Sequence, residues 1–489
     1  MVMRVGGIVS GMDIEAMVEK LMEAERMPLE RLRQQQTQLE WKRDAFRDIN
    51  SKLLELDNMM LDMKLSRTYN PKATVSSNEG AVTATASSSA SNGTYDIRVE
   101  QLATRAMNIG ESIEYTLQSE MSADVAGTYT YYTYDQNGEA IEHEFTVEEG
   151  DTLNQVLRNI ERASEGNVRA FFDESQNRVV LEATRSGAYN ENGAEITFEG
   201  NTFFTNTLGL SQGNESGGKN AIFTYNNGLT IESRENSYTL NGVTFEFHNV
   251  TETNVSISVQ NDVDTSFEKI MDFVNKYNEV IEAMNQSQTE ERYRDYLPLT
   301  EEQKAEMTDK QIELWEEKAK SGILRGEAAI QNGMFSLRGS LQGKVETGGE
   351  YTLLSQIGIT TTKNYLDGGK LEVDEEKLKA ALRDNPDDVY KLFANNTDGE
   401  SKGIIHRFDE SLDRVRGNIE RQAGRSTQTL DNYTLGKEMK RLNERITDYE
   451  RRMVQVEQRY WSQFTAMEKA IARLSDQANY LFSQFGGMQ

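Results

Sequence analysis

The chain has 489 residues, of which 37% are apolar, and its formal charge at pH 7 is −27. This acidic balance argues against nucleic acid or an anionic membrane as a partner, and the absence of cysteine excludes disulfides and thiolate metal sites. The length predicts about two to four domains. No run approaches the roughly 18 apolar residues of a membrane span, so we expect no membrane insertion. Asp13 and Glu15 interrupt the apolar N-terminal stretch, so we expect no cleaved signal peptide.

Residues 12–65 are predicted to be helical, because Phe46, Leu53 and Met60 recur at heptad spacing within them. Pro28 has no amide hydrogen to donate in mid-helix, so we expect it to divide this region into two helices. The upstream piece and the residues before it carry a group of apolar side chains: Ile8, Val9, Met12, Val18 and Leu21.

After Pro71 the composition changes to Thr, Ser, Gly, Asn and Tyr, which is typical of strands and turns. Asn241-Gly242 between two alternating runs indicates a tight β-hairpin, since both residues tolerate positive φ. Within this region, residues 129–147 predict a hairpin and residues 168–181 predict two further strands. A helix lies between this hairpin and these two strands, and Thr152 and Gln155 form a capping box at its start. This ββαββ order predicts a domain inserted into an antiparallel β head.

Helical spacing resumes after Thr265, and residues 267–284 are predicted to join the bundle formed by residues 46–63. The longest helix is predicted over residues 437–485, which contain no glycine or proline. Apolar residues recur there every seven positions, with a shift of offset near Gln463. Such a helix would be about 70 Å long and must find a partner.

We therefore predict an α+β multidomain fold. Both chain ends form an elongated helical bundle and coiled-coil leg, with a mid-chain antiparallel β head and an inserted ββαββ-like tip domain. The predicted boundaries are 1–44 and 437–489 for the terminal heptad helices, 45–70 and 265–436 for the leg bundle, 71–110 and 219–264 for the head, and 111–218 for the tip. The residues predicted to pack the leg are Phe46, Leu53, Met60, Val274, Ile281, Ile446 and Met453.

No catalytic pattern emerges from the sequence. The run Gly213–Lys219 matches most of a phosphate-binding loop, but Asn220 follows where Ser or Thr would bind magnesium, and a strand pattern comes next instead of a helix. The three histidines, His143, His248 and His406, lack the spacing of metal ligands. We expect neither an enzyme nor a cofactor or metal site.

The N-terminal sequence carries a specific resemblance. Gly7-Ile-Val-Ser-Gly-Met-Asp13, followed by residues 17–29, resembles the N-terminal signature of the flagellar filament-capping proteins, the hook-associated protein 2 family. Residues 95–102, residues 368–393 and the heptad tail ending at Phe485-Gly-Gly487 resemble further blocks of the same family. Residues 147–198 are similar to an insertion repeat of flagellin-related proteins.

The resemblance implies a structural cap at the extracellular tip of the bacterial flagellar filament, exported unfolded without a cleaved signal peptide. It implies a homo-oligomer, commonly a pentamer, whose plate promotes the folding and insertion of flagellin. The flagellar export machinery and an export chaperone are further implied partners. The terminal helices would be disordered when free and would contact the filament. The candidate contacts are Ile8, Val9, Met12, Val18, Leu21, Leu474, Leu481 and Phe485.

Two alternatives remain open at this stage. The β head could serve a surface adhesin or a glycan-binding module. A hook–filament junction protein would also have paired terminal helices, but we expect its ends to resemble flagellin more closely than these do.

Overall fold

The computed structural model describes the backbone of residues 13–485 and the side chains of residues 13–482. These residues divide into two compact units: one is built from both ends of the chain, up to Tyr69 and from Ser266 onward, and the other spans Asn70–Thr265. The α-helices are α1 (Ile14–Met63), α2 (Leu153–Ala163), α3 (Val263–Thr289), α4 (Glu301–Ala305), α5 (Asp309–Lys320), α6 (Ala328–Gln342), α7 (Glu375–Asp384), α8 (Pro386–Ala394), α9 (Ile404–Ala423) and α10 (Thr434–Phe485).

The strands of the second unit are β1 (Lys72–Ser76), β2 (Val82–Ala86), β3 (Gly93–Gln101), β4 (Arg105–Ser112), β5 (Gly127–Tyr134), β6 (Ala140–Val147), β7 (Val168–Asp173), β8 (Arg178–Ser186), β9 (Glu215–Ser216), β10 (Ala221–Tyr225), β11 (Leu229–Ser233), β12 (Ser237–Leu240), β13 (Val243–Phe247) and β14 (Val255–Asn261). The helical unit adds one small hairpin, β15 (Ile359–Thr361) with β16 (Leu371–Val373). An α+β multidomain fold, predicted from the sequence, is confirmed.

The two ends of the chain pair as antiparallel helices. Ile14, Val18 and Met22 of α1 form an apolar cluster with Met453 and Val456 of α10. Further along α1, Leu29 and Leu32 pack against Leu442 and Ile446. Because higher residue numbers on α1 meet lower numbers on α10, the two helices run in opposite directions. The prediction that both ends meet in one helical unit is confirmed.

Pro28 does not divide α1, so that prediction is wrong. The helix is continuous from Ile14 to Met63 with Pro28 inside it. A mid-helix proline costs about 3 kcal/mol through one lost hydrogen bond and a steric clash. Met22 and Leu29, on either side of it, are both buried against α10, and packing of an apolar face supplies most of a helix's stability in a protein.

The remainder of the helical unit is a bundle in which α9 packs against both α1 and α6. The ring of Phe408 lies at its centre, with ring centroids 5.5 Å from Phe273 and 5.9 Å from Tyr277. Gly333 of α6 permits a close helix contact, since a Cβ there would lie only 2.9 Å from a methyl group of Val415. The bundle therefore has a tightly filled core.

The β head consists of two antiparallel sheets around one core. The strand order is β1-β14-β3-β10-β11 in the larger sheet and β12-β13-β2 in the smaller. Ile97, Phe223 and Phe245 are fully buried between them. The predicted Asn241-Gly242 hairpin is confirmed, with φ of 50° and 80° at these two residues.

The inserted domain has a core of its own. The hairpin β5-β6, helix α2 and strands β7-β8 follow one another as the predicted ββαββ order requires, and the Thr152/Gln155 capping box is present. However, β4 pairs with β8 and β9, so it belongs to this domain, and a boundary at 110/111 would cut the strand. The amide of Thr104 donates to the carbonyl of Lys219 at 2.9 Å, and this pair marks the passage between head and insertion.

Candidate assembly surface

The apolar side of α10 is covered along its first half only. Met439, Leu442, Ile446, Met453 and Val456 are 4–8% exposed, and all but Met439 belong to the clusters shared with α1. We call this stretch, residues 439–456, the covered segment. Its burial follows from the heptad spacing, which places every one of these residues on the side that faces α1.

The second half of α10 becomes exposed along the same spacing. Met467 and Ile471 are half-buried, whereas Leu474 and Leu481 are 64% and 53% exposed, and Phe482 beside them is 78% exposed. The start of α1 lies beside Trp461 and Phe464, so the last 21 residues of α10, 465–485, extend past Ile14 for about 30 Å. We call residues 465–485 the outer segment.

Polar contacts fix the register of the helix pair beside the covered segment. The Gln36 amide donates to Asn443 at 2.8 Å, and the Arg33 guanidinium lies 3.0 Å from the Glu450 carboxylate. Nearer the start of α1, the Tyr460 hydroxyl donates to Glu25 at 3.1 Å. A slip of either helix would break all three contacts as well as the apolar seam.

The loop that leads into α10 is anchored by Arg47. Its guanidinium donates to the carbonyls of Ala423, Gly424 and Arg425 at 3.1–3.2 Å. These groups lie at and just beyond the end of α9, where carbonyls lack partners within the helix. Helix α10 begins at Thr434, three residues before the predicted start at residue 437, so Gly436 lies inside it, where a Cβ would meet the Leu430 carbonyl at 2.3 Å.

The sequence-predicted contact residues occupy different environments. Ile8, Val9 and Met12 lie outside the described residues. Val18 is 3% exposed because it is seated in the α1–α10 seam, so it is unavailable for the filament contact predicted for it. Leu21 is 40% exposed, Leu474 and Leu481 lie on the outer segment, and Phe485 is the last residue of α10.

The residues predicted to pack the leg are all buried. The set is Phe46, Leu53, Met60, Val274, Ile281, Ile446 and Met453. The first three lie on α1, the next two on α3 and the last two in the covered segment.

Several exposed apolar residues were missed by sequence reasoning. Tyr480 and Phe482 flank Leu481 on the outer segment, and Met17 and Met27 lie on the same helix as Leu21. The signal for the first two was the concentration of aromatic residues near the end of α10. The seven-residue repeat did not indicate Tyr480 and Phe482, because they lie beside the seam positions.

The glycine-rich run and the histidine considered as candidate binding residues have structural roles. Gly217 of the glycine-rich run has φ of 86°, a Cβ there would meet the Arg105 carbonyl at 2.0 Å, and strand β10 follows. His143 is bonded at both ring nitrogens, to Thr133 at 2.7 Å and to the Ala163 carbonyl at 3.1 Å, and burial lowers its pKa. Across residues 13–485, no cluster of three or more His, Asp or Glu side chains is arranged to hold a metal, and no helix is long and apolar enough to cross a membrane.

The architecture is that of a flagellar cap protein. A crystal structure of the D1-D2-D3 domains of the flagellar cap protein from Escherichia coli matches with a TM-score of 0.59, covering 81% of this chain and 99% of that one, at 20% sequence identity. At this identity the match shows the fold alone.

The sequence comparisons then identify the family. The models for the N-terminus and C-terminus of flagellar hook-associated protein 2 match residues 10–106 and 218–476. The flagellar hook-associated protein 2 of Halalkalibacterium halodurans is 35% identical, covering 100% of this chain and 99% of its own. That of Thermotoga maritima is 25% identical, with 99% and 96% covered. The chain belongs to the flagellar hook-associated protein 2 family, a family of structural cap proteins.

The prediction of a filament cap is thereby confirmed, and the adhesin and junction alternatives are not favoured.

Proposed function

We propose that this chain caps the filament as a homo-oligomer and contacts the filament end through the outer segment of α10. The observation that carries the proposal is the exposed continuation of a seam that is buried elsewhere on the same helix. Contiguous exposed apolar surface on a folded protein marks a site of association. An amphipathic helix commonly docks by laying its apolar side into a groove of its partner.

The composition of the outer segment suits a contact that must adapt. Met467, Leu474 and Leu481 lie along its seam, and Leu21 with Met17 adds exposed apolar surface on α1. Unbranched thioether side chains accept more than one packing arrangement. A ring whose symmetry differs from that of the filament needs such tolerance, because its subunits meet the filament in non-equivalent ways.

The remaining partners follow from the same proposal. The oligomer is a ring, in our proposal a pentamer, beneath which exported flagellin folds and is inserted. The chain reaches the filament tip through the flagellar export machinery, accompanied by an export chaperone and without a cleaved signal peptide. In this proposal the protein has no catalytic role, and the predicted order of terminal helices, leg bundle, head and tip is kept, with the passage between head and tip at Thr104.

The test introduces charge into the outer seam. Leu474→Asp with Leu481→Asp should abolish filament growth in cells lacking their own copy of the gene, with flagellin released into the medium, because two carboxylates prevent apolar docking. Ala472→Asp with Asn479→Asp is the matched control, since it adds the same charges at the same spacing on another side of α10. Normal filaments in cells carrying the seam variant would overturn the proposal.

A further inference from the structure

The helical unit carries a groove with cationic walls, which is unexpected in a chain of charge −27. It lies between α1, the covered segment of α10 and residues near the end of α5, and has a volume of about 710 Å³. Its apolar lining is Leu39, Ile323 and Leu442, its cations are Lys42, Arg292, Arg441 and Arg445, and its one carboxylate is that of Glu438. We call it the cationic groove.

Two of these cations have no acidic partner. The Lys42 ammonium is 2.5 Å from Glu327, and Arg292 donates to the carbonyls of Ala319 and Ser321. Arg441 makes only a bond of 3.3 Å to the carbonyl of Lys437 on its own helix. Neither Arg441 nor Arg445 forms an ion pair within the described part of the chain, and both are exposed.

The same unit carries an acidic surface on α5. On α5, Glu313 and Glu317 stand one helical turn apart with Leu314 between them, and all three are exposed. Leu314 is 49% exposed, and the one ion pair of Glu313 is the weak surface type, with Lys310 three residues away. We call these three residues the acidic ridge.

The ridge cannot fill the groove of its own chain. The inner side of α5 is fixed: Ala319 is fully buried, and the Trp315 indole donates to the Leu297 carbonyl at 2.8 Å. Arg292, a wall of the groove, holds the carbonyls of Ala319 and Ser321 at 2.9 and 3.1 Å. With α5 held in this way, its exposed carboxylates are available only to another molecule.

We propose that the acidic ridge of one copy of this chain docks into the cationic groove of the next copy. Leu314 would meet the apolar lining, while Glu313 and Glu317 would pair with Arg441 and Arg445. Arginine suits this role because its planar guanidinium binds carboxylates bidentately, and complementary charge selects the partner and its register. A contact between two different surfaces of one chain generates a ring when its rotation closes. The inference rests on the homo-oligomer of the proposed function and assigns its contact.

The test is a charge exchange on the full chain, followed by light scattering over a concentration series. A groove variant, Arg441→Glu with Arg445→Glu, and a ridge variant, Glu313→Lys with Glu317→Lys, should each associate at least tenfold more weakly than the wild type. A combined variant that carries all four changes in one chain should recover association, because its lysine ridge then meets a glutamate groove at every contact, whatever the number of subunits in the ring. Arg451→Glu with Arg452→Glu makes the same charge change on α10 outside the groove lining and should leave association unchanged.

Wild-type association by either variant, failure of the combined variant to recover, or a wild-type chain that stays monomeric would each overturn the docking. Circular dichroism at 222 nm checks folding, which exposed substitutions should preserve. Normal filaments in the outer-segment control, together with unchanged association in the groove variant, would overturn this contact and leave the filament cap proposal in place.

Discussion

The two halves of α10 carry the same apolar repeat but differ in how far its side chains are exposed. Ile446 and Met453 of the covered segment are each 8% exposed, whereas Leu474 and Leu481 of the outer segment are 64% and 53% exposed. Within the described residues, the start of α1 packs along α10 as far as Phe464. A heptad pattern thus specifies a helix with an apolar side, and contact with a neighbouring helix decides which part of that side is buried.

The largest expected effect comes from placing a charge in each half. Ile446→Asp should destabilise the helical unit by at least about 3 kcal/mol, because an unpaired carboxylate would be buried against α1. Leu481→Asp should change stability by less than about 0.5 kcal/mol, because its side chain is already in water. Thermal unfolding of the full chain, followed at 222 nm, measures both. Equal losses would mean that the two halves do not differ in burial.

A smaller effect, of opposite sign, is expected at Pro28 in the partner helix. Pro28→Ala restores a backbone donor to a helix that is already continuous. We therefore expect the free energy of unfolding of the helical unit to rise by about 1–2 kcal/mol. The melting temperature of the helical unit should rise. The neighbouring Met27→Ala, at a 57% exposed position, is the control and should leave it nearly unchanged. A fall in the Pro28→Ala variant would show that the proline shapes the seam.

The smallest expected effect on stability comes from an exposed ion pair between α1 and α3. Glu279 of α3 lies 2.6 Å from Lys52 of α1 and 2.8 Å from Lys276, and hydrogen bonds to these lysines lower its pKa to about 2 from an ordinary value of 4.5. A lowered carboxyl pKa stabilises the fold above pH 4.5, and this contribution is lost as the pH falls through about 2.

Because the carboxylate is largely exposed, Glu279→Gln should cost less than about 1 kcal/mol at pH 7. The difference from the wild type should be smaller at pH 2 than at pH 7, as measured by urea unfolding at both values. A difference that is equally large at pH 2 would assign the loss to packing instead of charge.

Much of the fold could be predicted because its signals are local. The capping box at Thr152, the Asn241-Gly242 hairpin and the heptads of α10 each depend on residues within one or two turns of one another. The helix boundaries at Pro28 and at residue 437 were predicted wrongly because tertiary contacts override local preference there. The hairpin β15-β16 was missed because strands of three residues carry too little alternation to detect.

The candidate surfaces were harder to predict than the elements. Val18 and Leu21 are three residues apart and both apolar, yet one faces α10 and the other faces solvent. The cationic groove joins residues of α1, α10 and the segment around Ile323, which are distant in the sequence. Sequence spacing contains no information about which residues from different elements will share a surface.

The order in which the chain can fold follows from the nesting of its parts. The insertion is closed by Thr104 and Lys219, the β head around it by the pairing of Lys72 with Asn261, and the helix pair by contacts such as Glu25 with Tyr460, 435 residues apart. Loop-closure entropy rises with the span to be closed, and distant contacts form slowly. The innermost part can fold as soon as its own residues are free, whereas the α1–α10 pair must wait for both ends. In the proposed export through the flagellar machinery, the surface proposed to contact the filament would therefore be completed last, after the whole chain has emerged.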